Sequence, residues 1–429
     1  MRFKDYIYTV EELVNEGLLE NPMDGNHGEI HPKASDYVDE GIPFIMANDL
    51  VDGKIDYKNC NYISIETARK LKKGFSKPND VLITHKATIG RTAIVDDRFD
   101  YIILTPQITY YRIKSGINKY YLKYYFDSNT FQSLLYSWAS SGSTRLYLGI
   151  TAQRKLPIVL PPIEIQNNIA KNLRLFDKKI EINNKIIENL EAQAQAVFKS
   201  WFVDFEPFQD GNFVESELGL IPEGWEVVKL GDQLDLYTGF PFKSSNYTVD
   251  GDYDIITIKN ILNGSVDMST TRKISNLPPN LPEDAFLKKG DVLIAMTGAS
   301  IGRVGLVSVD DTLQNQRIGK IISKNITHNG FFYALLRNRI YKEELINISS
   351  GSAQPNLGKS NFLSIKVPYN YEMVNKLSYI INGFIELIII LQNQNQTLAQ
   401  TRDTLLPKLM SGEIDVSNIK VDDEDTDYE

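Results

Sequence analysis

The chain has 429 residues, of which 42% are hydrophobic and 24% charged, and this composition predicts a soluble protein of two or three domains. No stretch approaches the roughly 20 uninterrupted apolar residues of a membrane span, and the charged N-terminal residues do not read as a signal peptide. The single cysteine, Cys60, excludes a disulfide framework and a cysteine-rich metal site, so a cytoplasmic location is expected.

The net charge of −9 gives no support to a nucleic-acid partner. Six of the acidic residues lie in positions 421–429 with no base among them, so the chain without them carries −3. Such a segment is typical of a solvated, disordered tail. A near-neutral body can still carry local basic patches.

The chain repeats itself at an offset of 207 to 212 residues. Phe75–Ile83 matches Phe286–Ile294, and each reads as a turn followed by a β-branched apolar strand. Thr88–Arg91 matches Ser300–Arg303 between two strands in each half. Each half is therefore predicted to hold about 150 residues of mixed strand and helix, followed by one long helix. Shorter helices are predicted at Ser64–Lys73, Ile117–Trp138 and His328–Ile348.

Two stretches carry a heptad stripe, with core positions at alternating spacings of four and three, which is the signature of a coiled-coil seam. Each stripe covers 33 residues, or about 50 Å of helix. The first stripe comprises Ile169, Leu173, Phe176, Ile180, Asn183, Ile187, Leu190, Ala194, Val197 and Trp201. The second comprises Leu377, Ile381, Phe384, Ile388, Leu391, Asn395, Leu398, Arg402, Leu405 and Leu409.

An exposed apolar seam is unfavourable in water, so the two helices are predicted to pair with each other. If they run antiparallel with their ends aligned, Asn183 faces Asn395. A lone asparagine inside a coiled coil fixes register at a cost in stability. The alternative is that both amides face solvent in helices that pack elsewhere.

These elements predict an α+β chain with two homologous mixed α/β domains separated by two long antiparallel coiled-coil helices. The predicted segments are a first domain (1–160), a central helix (161–207), a linker (208–224), a second domain (225–367), a C-terminal helix (368–412) and an acidic, disordered tail (413–429).

No catalytic motif accompanies this architecture. The sequence contains no Walker phosphate loop, no Gly-x-Gly-x-x-Gly fingerprint, no His-Glu-x-x-His pair, no Gly-x-Ser-x-Gly elbow and no Asn-Pro-Pro-Tyr-like methyltransferase loop. His27 and His31 are interpreted as polar loop residues rather than metal ligands. A catalytic site formed by carboxylates that lie far apart in the sequence is the alternative.

The two halves differ at polar positions where they could touch a ligand, which predicts two related readers of different targets. Drift of surface loops after duplication is the alternative. Arginine suits guanine, asparagine and glutamine suit adenine, and lysine or hydroxyl side chains suit phosphates. The candidate DNA-binding residues are Lys86, Thr88, Arg91, Gln107, Ser143, Arg145, Tyr147, Thr297, Ser300, Arg303, Gln314, Asn315, Arg317, Ser352, Gln354 and Asn356.

Arg91 and Arg303 occupy matching positions, and both halves keep this arginine although the polar candidate residues differ between the halves. Backbone contact, or bracing to an acidic neighbour such as Asp96 or Asp310, is therefore favoured over base reading for these two arginines.

The pattern resembles the specificity subunit of type I restriction–modification enzymes over almost the whole chain. The resemblance rests on Met23–Gly28 with Gly41–Ile45, Thr84–Arg91, Leu160–Gln166, Phe198–Phe205, Tyr237–Ser244 and Leu405–Gly412. The second long helix departs from the pattern, since Pro368-Tyr369-Asn370-Tyr371 replaces the Pro-Pro-x-x-x-Gln that precedes the first.

The resemblance implies a non-catalytic subunit that binds double-stranded DNA and recruits two DNA adenine methyltransferase subunits and a motor-nuclease subunit. S-adenosylmethionine, ATP and Mg²⁺ would belong to those partners. A spacer of about 50 Å corresponds to roughly 15 base pairs, so the expected target is split in two. Because the two domains differ at their polar positions, the two halves of the target are expected to differ as well. A specificity module of a methylation-only complex and a coiled-coil scaffold that binds only protein are the alternatives.

Overall fold

In the computed structural model of this chain, the described residues are 3–140, 146–349 and 355–416. The predicted tail lies outside them from residue 417 onward, as do residues 141–145 and 350–354. The helices are α1 (Val10–Asn15), α2 (Ile65–Arg69), α3 (Lys119–Asp127), α4 (Asn129–Ser140), α5 (Ile150–Gln153), α6 (Ile163–Phe202), α7 (Leu230–Gln233), α8 (Asn329–Arg337), α9 (Arg339–Ser349), α10 (Lys359–Leu363) and α11 (Tyr371–Met410).

The strands of the first half are β1 (Ile7–Thr9), β2 (Met23–Asp24), β3 (Tyr37–Val38), β4 (Ile42–Ile45), β5 (Leu50–Val51), β6 (Lys54–Ile55), β7 (Asn61–Ile63), β8 (Phe75–Ser76), β9 (Val81–Lys86), β10 (Thr88–Ile94), β11 (Ile102–Leu104), β12 (Ile108–Tyr111) and β13 (Pro157–Val159). Those of the second half are β14 (Phe213–Ser216), β15 (Gly219–Pro222), β16 (Glu226–Lys229), β17 (Leu234–Tyr237), β18 (Tyr253–Ile256), β19 (Gly264–Ser265), β20 (Arg272–Ile274), β21 (Phe286–Leu287), β22 (Val292–Ala295), β23 (Val304–Leu306), β24 (Thr312–Gln314), β25 (Ile318–Ser323) and β26 (Lys366–Tyr369).

The chain forms two compact units, one containing the residues up to Lys179 and those from Leu398 onward, the other containing Ile180–Thr397. The first unit has a sheet of order β10-β9-β12-β2 and another of order β3-β7-β4-β11-β8. The second unit repeats this plan as β17-β25-β22-β23-β19 and β20-β18-β24-β21. Both units contain a parallel pair at matching positions, β4 with β11 and β18 with β24, and the second unit adds the parallel pair β19 with β23. The predicted duplication of a mixed α/β domain is confirmed.

The first and last strands of each mixed α/β domain pair with one another. β1 lies antiparallel to β13, and β16 lies antiparallel to β26. Within each unit the chain therefore enters and leaves the domain at one place, next to the start of a long helix.

The helical stretches predicted at 117–138 and 328–348 are each two helices. The chain leaves helical geometry at Ser128, with ψ at 140°, and at Asn338, with ψ at 139°. Side-chain caps follow both breaks: the Ser128 hydroxyl accepts from the Phe131 amide at 3.4 Å, and the Asn338 amide oxygen accepts from the Ile340 amide at 3.1 Å. Since the break occurs at matching positions, it belongs to the repeated fold.

The predicted linker at 208–224 contains a β-hairpin. β14 pairs with β15 along four residue pairs, from Phe213 opposite Pro222 to Ser216 opposite Gly219. Gly219 has a φ of 94°, which lets the chain reverse tightly between the strands.

The two long helices begin in different ways. At the start of α6, the buried Gln166 accepts from the Asn118 amide at 3.0 Å and donates to the Pro161 carbonyl at 2.8 Å. At the start of α11, the Asn370 side chain instead accepts from the Met373 amide at 3.1 Å. The replacement of the Pro-Pro-x-x-x-Gln pattern therefore exchanges a buried glutamine for a local asparagine cap.

In the first unit, Leu173 of α6 shares a core with Leu406 of α11, and in the second unit Phe198 shares one with Leu377. The early part of each helix thus packs with the late part of the other, as an antiparallel pair requires. Asn183 is fully buried in the second unit, and its Nδ2 donates to Asn395 Oδ1 at 2.8 Å. The two seam asparagines therefore face each other.

By length and apolar composition alone, α11 could cross a membrane. Its residues Val374, Leu377, Ile381 and Ile388 are, however, fully buried in the core of the second unit. A long core helix of a soluble protein satisfies the same two criteria.

Candidate nucleic-acid interface

Three segments meet at one end of the sheet β10-β9-β12-β2 in the first unit. The turn between β9 and β10 is joined to the segment after residue 145, since the Ala87 amide donates to the Leu146 carbonyl at 3.1 Å. The turn between β11 and β12 is joined to β9, since the His85 amide donates to the Gln107 carbonyl at 2.9 Å. We call Lys86, Thr88, Gln107 and Tyr147 the first tip.

The first tip exposes a cation beside an aromatic ring. Lys86 and Tyr147 form an isolated β-bridge, and the Lys86 Nζ lies 5.9 Å from the centre of the Tyr147 ring. Tyr147 is 46% exposed and the Lys86 side chain is exposed. The ammonium group can neutralise a phosphate, while the phenol presents a hydroxyl and an apolar face.

The second unit repeats this three-segment frame. The Gly298 amide donates to the Pro355 carbonyl at 3.0 Å, and Thr297 forms a β-bridge with Asn356. The turn between β24 and β25 joins β22, because the Met296 amide donates to the Arg317 carbonyl at 3.1 Å. We call Thr297, Ser300, Asn315, Arg317 and Asn356 the second tip.

The second tip presents different chemistry on this frame. Arg317 and Asn356 are exposed, and Arg317 has a φ of 72°, a conformation uncommon for a residue with a side chain. Asn315 is half-buried, and its Nδ2 donates to the Tyr247 hydroxyl at 3.5 Å. A guanidinium and two amides thus replace the ammonium and phenol of the first tip.

Arg91 is an exposed residue of β10 whose guanidinium binds backbone carbonyls. Its Nη1 donates to the carbonyls of Ala47 at 3.4 Å and Leu50 at 3.3 Å. Asp96, suggested as its partner, pairs with Arg98 at 3.0 Å. In this structure Arg91 therefore contacts backbone carbonyls of its own domain and does not pair with Asp96.

Arg303 is exposed and forms no side-chain hydrogen bond or ion pair with the part of the chain that the structure describes. Asp310, suggested as its partner, accepts from the Lys289 amide at 2.8 Å. Arg303 differs from Arg91 in this respect and remains available to a ligand.

The burial of Gln314 speaks against its predicted contact with bases. Its side chain is inaccessible, and its Nε2 donates to the carbonyls of Ile318 at 2.7 Å and Tyr237 at 3.1 Å. These bonds tie β24 to β25 and β17, so Gln314 holds the turn that carries Asn315. The candidates Ser143, Arg145, Ser352 and Gln354 lie outside the described residues.

A charged cluster near the first tip was missed by the sequence analysis. Asp24 pairs with Thr109, so the chain after β2 runs toward the end of the sheet that carries Gln107. The Asp24 carboxylate accepts from His27 Nε2 at 2.8 Å and from the Lys73 ammonium. Burial alone would raise the pKa of Asp24, but these two partners outweigh it and lower the pKa. The sequence signal for this cluster is the family-like stretch Met23–Gly28, which contains both Asp24 and His27.

His85 lies beneath the first tip in a buried polar network. Its Nδ1 shares a hydrogen bond of 2.8 Å with the Thr109 hydroxyl, which also accepts from Gln153 at 3.0 Å. Gln153 in turn donates to the Leu148 carbonyl at 2.9 Å, next to Tyr147. His85 Nε2 has no partner among residues 3–140, 146–349 and 355–416. Burial lowers the pKa of His85 from 6.5 to about 4.

Acidification is expected to destabilise this network through His85. The folded-state pKa lies below the unfolded one, so the stability that neutral His85 provides is complete above pH 6.5 and is lost as the pH falls toward 4. Between pH 7 and pH 5, wild type should lose about 2 kcal/mol more of its opening free energy than His85→Leu. Amide hydrogen exchange of Val81–Lys86 at both pH values measures this difference. Equal losses in the two proteins would contradict it.

Comparison with known proteins agrees with this repeated architecture. Residues 22–192 and 222–396 match the family described as "Type I restriction modification DNA specificity domain". The type I restriction enzyme MjaIX specificity subunit of Methanocaldococcus jannaschii is 29% identical over 399 residues, which cover 90% of each chain. The HindI specificity subunit of Haemophilus influenzae is 24% identical over 452 residues, covering 87% of this chain and 94% of that one.

Among solved structures, the S subunit of the type I restriction–modification system from M. genitalium aligns with a TM-score of 0.51 at 17% identity. The alignment covers 94% of this chain and 95% of that one, and it shows a shared fold. Because the family match extends over both halves, the chain belongs to the type I restriction–modification DNA specificity family.

Proposed function

We propose that this chain is the DNA sequence-recognition subunit of a type I restriction–modification complex and that it reads a split, asymmetric target. The observation that carries the proposal is the repeated frame of three joined segments, which presents Lys86 and Tyr147 at one tip and Arg317 and Asn356 at the other. A shared frame with different polar ends suits two readers of two half-sites.

The tips suggest distinct roles. Arg317 can bind guanine bidentately, and Asn356 or Asn315 can bind adenine in the same way. In the first tip, Gln107 has the amide that suits adenine, and Lys86 suits a phosphate.

The chemistry of methylation and cleavage is assigned to partners, namely two DNA adenine methyltransferase subunits and a motor-nuclease subunit. S-adenosylmethionine, ATP and Mg²⁺ would be bound there, and the complex would work in the cytoplasm. Docking is supported by α11, which exposes Tyr379 at 85%, Ile390 at 55% and Leu387 at 40% in the second unit. Exposed apolar side chains along one helix are a common feature of protein interfaces.

The proposal is tested by sequencing the methylated bases of cells with and without this gene. One split adenine motif should disappear when the gene is deleted. DNA footprinting with the purified complex distinguishes a DNA-recognition subunit from a scaffold that binds only protein, because the scaffold would protect no DNA. ATP-dependent cleavage by the assembly distinguishes restriction from a methylation-only complex.

Arg317→Ala is expected to lower methylation of the native target by about 10- to 100-fold, because a bidentate base contact contributes about 1–3 kcal/mol of discrimination. Arg339→Ala serves as the control, since Arg339 is an exposed arginine of α9 that pairs within its own helix with Glu343 at 3.6 Å. Methylation rates on duplexes altered at single positions should show relaxed specificity in one half-site only. Equal methylation rates for wild type and Arg317→Ala would show that Arg317 does not contact the recognised bases.

A further inference from the structure

A buried tyrosine connects the first recognition domain to the long helices. Tyr124 of α3 is 4% exposed, and its hydroxyl donates to Asp177 Oδ2 on α6. The other oxygen of Asp177 accepts from Arg402 Nη1 on α11 at 2.6 Å. One carboxylate therefore receives a hydrogen bond from the recognition domain and an ion pair from the second helix.

The second recognition domain has a corresponding contact. Tyr333 of α8 is 1% exposed, and its hydroxyl donates to Glu191 Oε1 on α6 at 3.0 Å. Glu191 Oε2 forms an ion pair with Arg337 of α8. A tyrosine, a carboxylate of α6 and an arginine thus occur together in both units.

The tyrosines are equivalent within the duplication, whereas the carboxylates are not. Tyr124 and Tyr333 are 209 residues apart, inside the offset of the repeat, and each lies on the first helix of its broken pair. Both carboxylates lie on α6, although duplication alone would have put one of them on α11. The two equivalent tyrosines therefore bind carboxylates at positions that are not equivalent in the duplication.

Two neighbouring tyrosines of α3, Tyr121 and Tyr125, bind carbonyls of their own domain, whereas the ring of Tyr120 lies 3.8 Å from the guanidinium carbon of Arg174 on α6. The Tyr121 hydroxyl donates to the Val159 carbonyl at 2.8 Å, and the Tyr125 hydroxyl donates to the Pro157 carbonyl at 3.0 Å. Tyr124 is distinguished by its charged acceptor on a long helix. Burial, followed by the nearby Asp177 charge, raises the pKa of Tyr124, so its hydroxyl keeps the proton that it donates.

We propose that Tyr124–Asp177–Arg402 and Tyr333–Glu191–Arg337 are positioning clasps that fix the orientation of each recognition domain on α6, and that they thereby set the spacer length accepted between the two half-sites. This inference rests on the proposed function. A hydrogen bond to a charged acceptor is stronger and more directional than one between neutral groups. Loss of such a bond lets the domain tilt on the helix without unfolding.

The test compares Tyr124→Phe with Tyr121→Phe in the complete methyltransferase complex. The substrates are duplexes that carry the motif found by methylome sequencing, with its native spacer or with one base pair added or removed. For Tyr124→Phe, the ratio of methylation rates on native and altered spacers should fall about tenfold while the native rate changes little. Tyr121→Phe, which also loses one buried hydroxyl of α3, should keep the wild-type ratio.

Two further variants extend the comparison. Tyr333→Phe should lower the same ratio through the second clasp, and Asp177→Asn should do so by removing the charge that Arg402 and Tyr124 share. If the ratio of methylation rates is unchanged in Tyr124→Phe, or falls equally in Tyr121→Phe, the clasps do not set the spacer length. Either result would leave the proposed function intact. A wild-type complex that methylates no split target would overturn the proposed function and the clasps with it.

Discussion

Gly239→Ala is expected to lower the free energy of unfolding of the second unit by more than about 3 kcal/mol, because it forces two backbone segments apart. A Cβ at Gly239 would lie 2.1 Å from the Asn315 carbonyl oxygen, and the residue has a φ of 79°. That contact holds the β24–β25 turn, since the Phe240 amide donates to the Gln314 carbonyl at 3.1 Å. The substitution should therefore displace Asn315 and Arg317 and abolish reading of one half-site.

Gly219→Ala separates steric overlap from backbone strain in this experiment. Gly219 also has a left-handed φ, at 94°, but a Cβ there meets no atom within 4 Å. Its cost should be limited to about 1 kcal/mol of conformational strain. Urea unfolding and DNA binding measure both variants. Similar losses in the two would show that φ alone, and not the close approach to Asn315, accounts for the effect.

Phe198→Ala is expected to lower the free energy of unfolding of the second unit by about 3–5 kcal/mol, since it removes a fully buried ring from the centre of a core. Phe198 stacks on Phe202 with ring centres 5.6 Å apart, and it contacts Phe331 at 5.9 Å and Tyr341 at 6.1 Å. This aromatic cluster packs the end of α6 against the helices of the second recognition domain, so the cavity cannot close without moving that domain.

Ile182→Ala on the same helix is the matched control. Ile182 is 51% exposed, so its truncation should change the free energy of unfolding by about 0.5 kcal/mol or less. Urea unfolding of the two variants under identical conditions gives the comparison. A cost for Phe198→Ala below about 1 kcal/mol would mean that this part of α6 is not integral to the core.

Features encoded by spacing could be predicted from the sequence. The heptad stripes determine which faces of α6 and α11 become buried, and Asn183 and Asn395 interrupt those stripes at positions that an antiparallel pair brings together. The duplication likewise follows from ordered matches at one offset. Such patterns need no knowledge of distant contacts.

Features that depend on distant partners could not be predicted. Gln314 has the polarity of a tip residue, but its burial is determined by the Tyr237 carbonyl, 77 positions away in the chain. Arg91 binds the carbonyls of Ala47 and Leu50, which lie more than 40 positions before it and carry no sequence signal. The helix break at Ser128, by contrast, has a local signal, since it falls in the polar run Asp127-Ser128-Asn129-Thr130 and the serine caps the next helix.

The pairing of the first and last strands within each recognition domain has a consequence for how new specificities arise. Because β1 pairs with β13 and β16 pairs with β26, the two ends of each domain lie next to each other. Segments with adjacent ends tolerate replacement well, since the surrounding chain need not adjust. Under the proposed function, replacement of one domain at these paired strands would change one half-site of the target and leave recognition of the other half-site intact.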